Sequence, residues 1–103
     1  LKMDKQTELE IEAAPFRRII AHMQKRTDAQ NIDLMGMAGF CRNCFSKWYA
    51  AEALERGIEI DKMAAREIVY GMPYSEFVDK HQTPATEEQM TKMDESLKLN
   101  KQM

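Results

Sequence analysis

The apolar residues near the start of this chain recur at helical spacing. From Phe16 to Met23 the steps between apolar positions are three and four residues, with arginines and other polar residues between them. Pro15 lies inside this segment, where it removes a backbone donor, so a helix either kinks or begins there. We predict one kinked helix from about Asp4 to Arg26.

A second helical segment occupies the middle of the chain, from Ile32 to Arg56. Asn31 is suited to be its N-cap, and Gly57 follows its last turn as a C-terminal glycine. From Phe40 onward its apolar side chains form a broad face that includes Trp48. We therefore predict that the helix beginning near Phe40 is the central element of the core, with Trp48 buried in it.

Two glycines lie early in this central segment, and each costs about 1 kcal/mol relative to alanine inside a helix. Gly36 and Gly39 therefore need a structural reason. One is a break that leaves a short helix, Ile32 to Met37, before the longer one. The other is a neighbouring helix that approaches too closely for a side chain. The sequence leaves both open.

The rest of the chain predicts three shorter helices with recognisable caps. Asp61 and Gly71 bracket the first, Pro73 suits the first turn of the second, and Thr86 with Gln89 forms a capping box for the third. The predicted helices run over 62–70, about 74–80 and about 87–97, with a frayed tail after the last. The fold class is therefore all-α, a compact bundle of four to six unequal helices. We expect a single domain over 1–103, with its core at about 8–82.

Composition and charge argue against nucleic acid and membranes as partners. The 103 residues are 44% hydrophobic and 31% charged, with a net charge of −2, so the chain is expected to fold and carries no overall field that attracts nucleic acid or anionic lipid. Its apolar stretches are shorter than the roughly 20 residues of a spanning helix, and no secretory signal is readable. We expect a cytosolic protein that does not bind membranes.

A short run of arginine, lysine and aromatic side chains is the one local feature that could bind a nucleic acid. Arg42, Lys47, Trp48 and Tyr49 could neutralise and stack on a single strand. Acidic residues follow closely and no dense basic stripe is present, so a solvated face beside a core tryptophan is favoured. A nucleic-acid partner is not expected.

The two cysteines are the strongest candidates for chemistry. Cys41 and Cys44 are three residues apart and can supply two ligands to a zinc ion. His22 is the best third ligand, and the only other histidine is His81. No cofactor is expected, but zinc at Cys41, Cys44 and His22 is possible.

Thiol chemistry is an alternative for the same pair. If Gly39 breaks the helix, Cys41 stands at a helix N-terminus, where the dipole acidifies a thiol. A cysteine nucleophile assisted by His22 and Asp33 is the weakest option. Burial as ordinary core residues is favoured over all three, because free cysteines are among the most buried residue types. No catalytic residue is predicted.

Polar residues in the same region have two interpretations. Asn31 and Asp33 with Arg42, and Arg66 with Glu67, predict a buried arginine–carboxylate pair that joins the first helices to the fourth. The same residues could instead line a small pocket for an anionic metabolite. The spacing does not favour the pocket.

The chain contains nine methionines. Residues such as Met35, Met37, Met63 and Met72 can fill an irregular core or line an adaptable groove, and core filling is favoured. A small chain with this much apolar helix surface often completes its burial by pairing, so we expect a homodimer.

Four segments together resemble the signatures of domain-of-unknown-function family 1244 of short bacterial proteins: Asn31–Met35, Ala38–Cys44, Ser46–Tyr49 and Arg66–Tyr74. The resemblance covers roughly Glu8 to Gln82. It implies a compact helical domain and brings no assigned activity with it. We therefore expect a non-catalytic interaction or regulatory module that acts through a helical surface, or else a metal or thiol-redox site at the cysteine pair.

Overall fold

Six helices follow one another in the computed structural model, which describes residues 2–103, and these residues contain no strand. They are α1 (Lys5–Lys25), α2 (Asn31–Ala38), α3 (Arg42–Glu55), α4 (Lys62–Tyr70), α5 (Tyr74–His81) and α6 (Glu87–Lys101). The predicted all-α class is confirmed.

The first helix is continuous through its proline. The side chain of Asp4 caps it by accepting a hydrogen bond from the Thr7 amide over 2.7 Å. Pro15 lies inside the 21 residues of α1, as predicted for one long helix rather than a break. At 1.5 Å per residue, α1 is about 31 Å long.

The two glycines of the central segment have different causes. Gly39 ends α2 in the left-handed conformation, with φ 79°, and so separates α2 from α3. Gly36 instead lies against α6, where an added Cβ would be 3.2 Å from Cβ of Lys92. Both explanations left open by the sequence therefore apply, each at its own glycine.

The predicted cap of α2 is wrong by one residue. Gln30 occupies the N-cap position, and its backbone amide donates to Oδ2 of Asp33 over 3.2 Å. Asn31 is the first residue of the helix, and its side chain is engaged by Arg42 and Tyr70. A competing tertiary hydrogen-bond network thus uses the side chain that was expected to cap.

The last three helices begin at the predicted residues, and α4 and α6 begin at their predicted caps. Pro73, expected in the first turn of α5, is its N-cap residue. Asp61 accepts from the Ala64 amide at the start of α4, and Thr86 and Gln89 form the capping box of α6. The end of α6 lies at Lys101, four residues beyond the predicted end. Nδ2 of Asn100 donates to the carbonyl oxygen of Gly39 over 2.9 Å, which holds the last turn against α2.

The buried apolar cluster lies where α1, α4 and α5 meet, and α3 packs along α4 beside it. Its buried side chains are those of Ile20, Met23, Val69, Tyr70 and Phe77, with Phe45 of α3 packed against them. The predicted burial of Trp48 is wrong, because 53% of this residue is exposed. Among the methionines named above, Met37 and Met63 are also exposed, and core filling fails for them.

The molecule is more extended than a compact domain of its length. Its radius of gyration is 15.7 Å and its principal dimensions are 49 × 33 × 26 Å; a compact domain of this size has a radius of gyration of about 13 Å. Among the helices of residues 2–103, none has both the length and the hydropathy needed to cross a bilayer.

Candidate functional site

An aromatic cluster joins α1 to α3. The ring of Phe16 lies 6.0 Å from that of Phe45 and 6.5 Å from that of Tyr49, measured between centroids. Phe45 in turn packs edge-on against Phe40 at 5.5 Å and Trp48 at 5.4 Å. Edge-to-face pairs at these distances contribute about 1 kcal/mol each beyond the area that they bury.

A groove of about 710 Å³ opens beside this cluster. Its walls are α1, α3 and the segment that follows α3, and they are mainly apolar: Ala13, Phe16, Phe45, Trp48, Tyr49, Ala53, Ile58 and Ile60. Glu12, Glu52 and Arg56 stand among them, and Arg56 is paired with Glu52 over 3.0 Å. The groove therefore has an apolar floor with few charges, one pair of which is already neutralised.

Large apolar side chains in the groove remain in contact with solvent. Trp48 is 53% exposed and Ile58 58% exposed. Single exposed apolar residues are ordinary, but a contiguous set that shares one concave surface is typical of interaction surfaces. Tryptophan and tyrosine are also the residues most enriched at the energetic centres of protein interfaces.

A buried arginine links the start of α3 to the end of α1. Arg42, the first residue of α3, is 1% exposed. Nη2 donates to the carbonyl oxygens of Met23 and Arg26 over 2.9 and 2.8 Å, and Nη1 donates to that of Ala29 over 2.8 Å and to Oδ1 of Asn31 over 3.0 Å. The guanidinium thereby satisfies carbonyl groups at and just beyond the C-terminus of α1.

The predicted arginine–carboxylate pair is wrong. The buried guanidinium is balanced by carbonyl oxygens, at the helix end where the macrodipole is negative, and by the ring of Phe77, whose centroid is 5.2 Å from Cζ. Burial lowers the pKa of Arg42. Asp33 has other partners: its carboxylate accepts from the Gln30 amide and from Nε2 of Gln89 on α6.

Tyr70 extends the same network. Its hydroxyl donates to Oδ1 of Asn43 over 2.6 Å and accepts from Nδ2 of Asn31 over 3.0 Å. Burial raises the pKa of Tyr70 to about 12, so the hydroxyl stays protonated over the whole neutral range. The side chain of Asn31 consequently bridges Arg42 and Tyr70, linking α2, α3 and α4.

The cysteines lie at the start of α3. Cys41 is the N-cap residue and is buried, whereas Cys44 is half-buried, and both are free thiols. Burial raises the pKa of the Cys41 thiol, which outweighs the acidifying effect of the backbone amides at this helix end. The thiolate form needed for nucleophilic attack is therefore disfavoured at Cys41.

The third predicted metal ligand lies on a different element. His22 is exposed in the last turn of α1. Within residues 2–103, no three histidine, cysteine or acidic side chains are grouped closely enough to hold a metal ion. Zinc at Cys41, Cys44 and His22 stays a prediction.

The groove includes residues that the sequence did not single out. Phe16 was readable only as part of the α1 stripe, and Ala53 only as part of the apolar face of α3. Ile58 and Ile60 belong to a link that carried no functional signal. Trp48 and Tyr49 are both exposed in the groove. Their helical spacing in the sequence had placed them on the apolar face of the core helix.

These features define a small all-α protein with a buried arginine network and an open aromatic groove. Residues 29–95 match the family model DUF1244, described as "Protein of unknown function (DUF1244)", and the chain belongs to this family. The match starts after α1 and reaches into α6, so it is shifted toward the C-terminus relative to the resemblance seen in the sequence. No curated protein matches the chain.

Proposed function

We propose that this protein is a non-catalytic interaction module whose groove between α1 and α3 receives an apolar helix of a protein partner. The observation that carries this proposal is the position of Trp48, which stands 53% exposed in a concave apolar surface. A tryptophan there contributes to stability chiefly when another molecule covers it.

The shape and chemistry of the groove support a helical occupant. Helix-binding grooves take the apolar face of an amphipathic helix through side chains spaced three and four residues apart. The walls here are apolar, and the charges of Glu12 and of the Arg56–Glu52 pair stand among them. Such a surface can exclude water at its centre while charged groups remain solvated at its edge.

Preorganisation also supports the proposal. Arg42 binds three carbonyl oxygens beyond α3, so the two helices that form the groove are held in a fixed relation. A wall that is already ordered loses little conformational entropy when a partner binds. The buried network thus contributes to the order of the groove walls.

Selection of helical peptides against the purified chain tests the proposal. Two alanines on α3 offer a matched pair: Ala53 lines the groove, whereas Ala51 is exposed outside it. We expect selected peptides to bind with an increase in Trp48 fluorescence. Ala53→Glu should weaken them about tenfold, a change of about 1.4 kcal/mol, while Ala51→Glu should leave binding unchanged. Equal effects of both substitutions would refute the groove as the site.

Other expectations from the sequence stay predictions. The homodimer is one way to fill the groove. The cytosolic location, the bacterial source and the alternative function, a metal or thiol-redox site at Cys41 and Cys44, are also proposals. Elemental analysis of the purified protein tests the last of these directly, because zinc bound in a stoichiometric amount would support it.

A further inference from the structure

The apolar stripe of α1 is only half covered by the chain itself. Its members are spaced four, three, four and three residues apart: Leu9, Ala13, Phe16, Ile20 and Met23. Ile20 and Met23 are each 7% exposed in the core, but Leu9 is 46% exposed. The stripe is therefore covered by other helices at its C-terminal end and exposed to solvent at its N-terminal end.

The uncovered end of this stripe is continuous with the groove. Ala13 and Phe16 belong both to the stripe and to the groove wall, and Leu9 lies one helical turn before Ala13 on the same face. Each molecule thus presents a helix end with an exposed leucine next to an open apolar groove. A projection and a recess side by side on one chain can satisfy each other across a twofold axis.

The charges of α1 also favour pairing with a second copy. The first half of the helix carries Glu8, Glu10 and Glu12, with Lys5 as its one basic residue, and the second half carries Arg17, Arg18 and Lys25. The ion pairs of residues 2–103 join other side chains: Arg26 to Asp28, Arg56 to Glu52, Lys80 to Glu76 and Lys92 to Glu88.

An antiparallel arrangement makes use of this segregation. When two copies of α1 run in opposite directions, the acidic half of each lies beside the basic half of the other. A parallel arrangement would place like charges together. In the register that places Leu9 of one copy opposite Phe16 of the other, Glu8 of each copy lies opposite Arg17 of the other.

From the half-covered stripe, the adjoining groove and the divided charge of α1, we infer that the occupant of the groove is a second copy of this chain. The first half of α1, Lys5–Ala13, docks reciprocally in the groove of its partner, with the two α1 helices antiparallel. This inference rests on the proposed helix-binding role of the groove and names its partner.

One leucine and one isoleucine on α1 provide the central test. Leu9 and Ile11 are similarly exposed, at 46% and 52%, but two residues on a helix point about 200° apart. Sedimentation velocity of the full chain over a micromolar concentration series should show a dimer. Leu9→Glu should raise its dissociation constant about tenfold or more, and Ile11→Glu should change it less than about twofold.

Circular dichroism of both variants checks that they fold, which is expected because neither side chain is buried in one copy. A monomeric wild-type chain throughout the series would overturn the inference, as would equal weakening by Leu9→Glu and Ile11→Glu. Raising the salt concentration should weaken the dimer, because the charged halves of α1 attract.

The groove substitutions separate this inference from the proposed function. Ala53→Glu should weaken the dimer as Leu9→Glu does, and Ala51→Glu should not. If the wild-type chain is monomeric but Ala53→Glu still abolishes docking of selected peptides, the second copy is the wrong occupant and the groove remains a helix-binding site. If Ala53→Glu affects neither dimer nor peptide, both proposals fail.

Discussion

Nη2 of Arg42 donates a hydrogen bond to the carbonyl oxygen of Met23 over 2.9 Å, inside the buried interface of α1 and α3. Through it, the first residue of α3 is attached to the last turn of α1. Both helices are walls of the groove. The geometry of an exposed surface is thus set by a contact in the interior.

Loss of this arginine should destabilise the fold. Arg42→Met removes the donors of four hydrogen bonds, to three carbonyl oxygens and to Asn31. The carbonyl oxygen of Arg26 keeps the Ala29 amide as a donor, and each acceptor left without a partner costs about 1–3 kcal/mol. We expect a loss of about 3 kcal/mol or more in the free energy of unfolding, measured by urea denaturation with far-ultraviolet circular dichroism. Arg56→Met is the control, because the Arg56–Glu52 pair is exposed and such pairs contribute at most about 1 kcal/mol.

Tyr70 should make stability depend on pH in the alkaline range. Its pKa in the folded chain is about 12, against an ordinary value of 10.0, so the unfolded chain releases the proton first. The contribution is complete below pH 10 and declines as the pH rises toward 12. Urea midpoints measured from neutral pH upward should fall more steeply for wild type than for Tyr70→Phe. Parallel curves would contradict the assignment.

The Tyr70→Phe variant should also be less stable at neutral pH. It leaves Oδ1 of Asn43 without its donor, and a buried hydrogen bond of this kind contributes about 1 kcal/mol. The loss should be smaller than that of Arg42→Met, because two hydrogen bonds are removed rather than four. A larger loss for Tyr70→Phe would mean that the hydroxyl, not the guanidinium, holds the network together.

The two thiols should differ in reactivity. Cys41 is buried with a raised pKa and Cys44 is half-buried, so Cys44→Ala, which retains Cys41, should react slowly with a thiol reagent until urea is added. Cys41→Ala, which retains Cys44, should react faster in the folded state. Rapid reaction of Cys41 at neutral pH would favour the thiol-redox alternative instead.

Two glycines with the same backbone conformation allow strain and contact to be separated. Gly39 and Gly57 have φ of 79° and 78°, but a Cβ at Gly39 would collide with the side chain of Asn100, whereas Gly57 has open space around it. Gly57→Ala should cost about 1–2 kcal/mol from strain alone. Gly39→Ala should cost more, since it also displaces Asn100 from its hydrogen bond; equal melting temperatures would show that this bond contributes nothing.

Helix ends were predictable where their signals are local. Asp61, Gly71 and Thr86 act through backbone groups within four residues of themselves, so their roles follow from sequence order. Asn31 was misassigned because its amide has partners 11 and 39 residues away. A cap and a tertiary bridge require the same type of side chain, and spacing does not distinguish them.

The partners of Arg42 and the exposure of Trp48 were not predictable for related reasons. Backbone carbonyls occur at every position, so a sequence shows only that carboxylates such as Asp33 are available and not that carbonyl oxygens are the acceptors. Apolar periodicity identifies the face of α3 that avoids water but not whether the cover comes from the same chain. Residues that pack at an interface and residues that pack in a core give the same spacing of apolar positions in a sequence.

The attachment of α6 at both ends has a consequence for the connectivity of the chain. Gln89 is bound to Asp33 near one end of α2, and Asn100 to Gly39 at the other, while the residues 83–86 that precede α6 are exposed. A peptide of this length is a marginal helix in isolation. A chain cut within 83–86 should therefore yield two fragments that recombine when mixed, the shorter one acquiring its helix only on the surface of the longer.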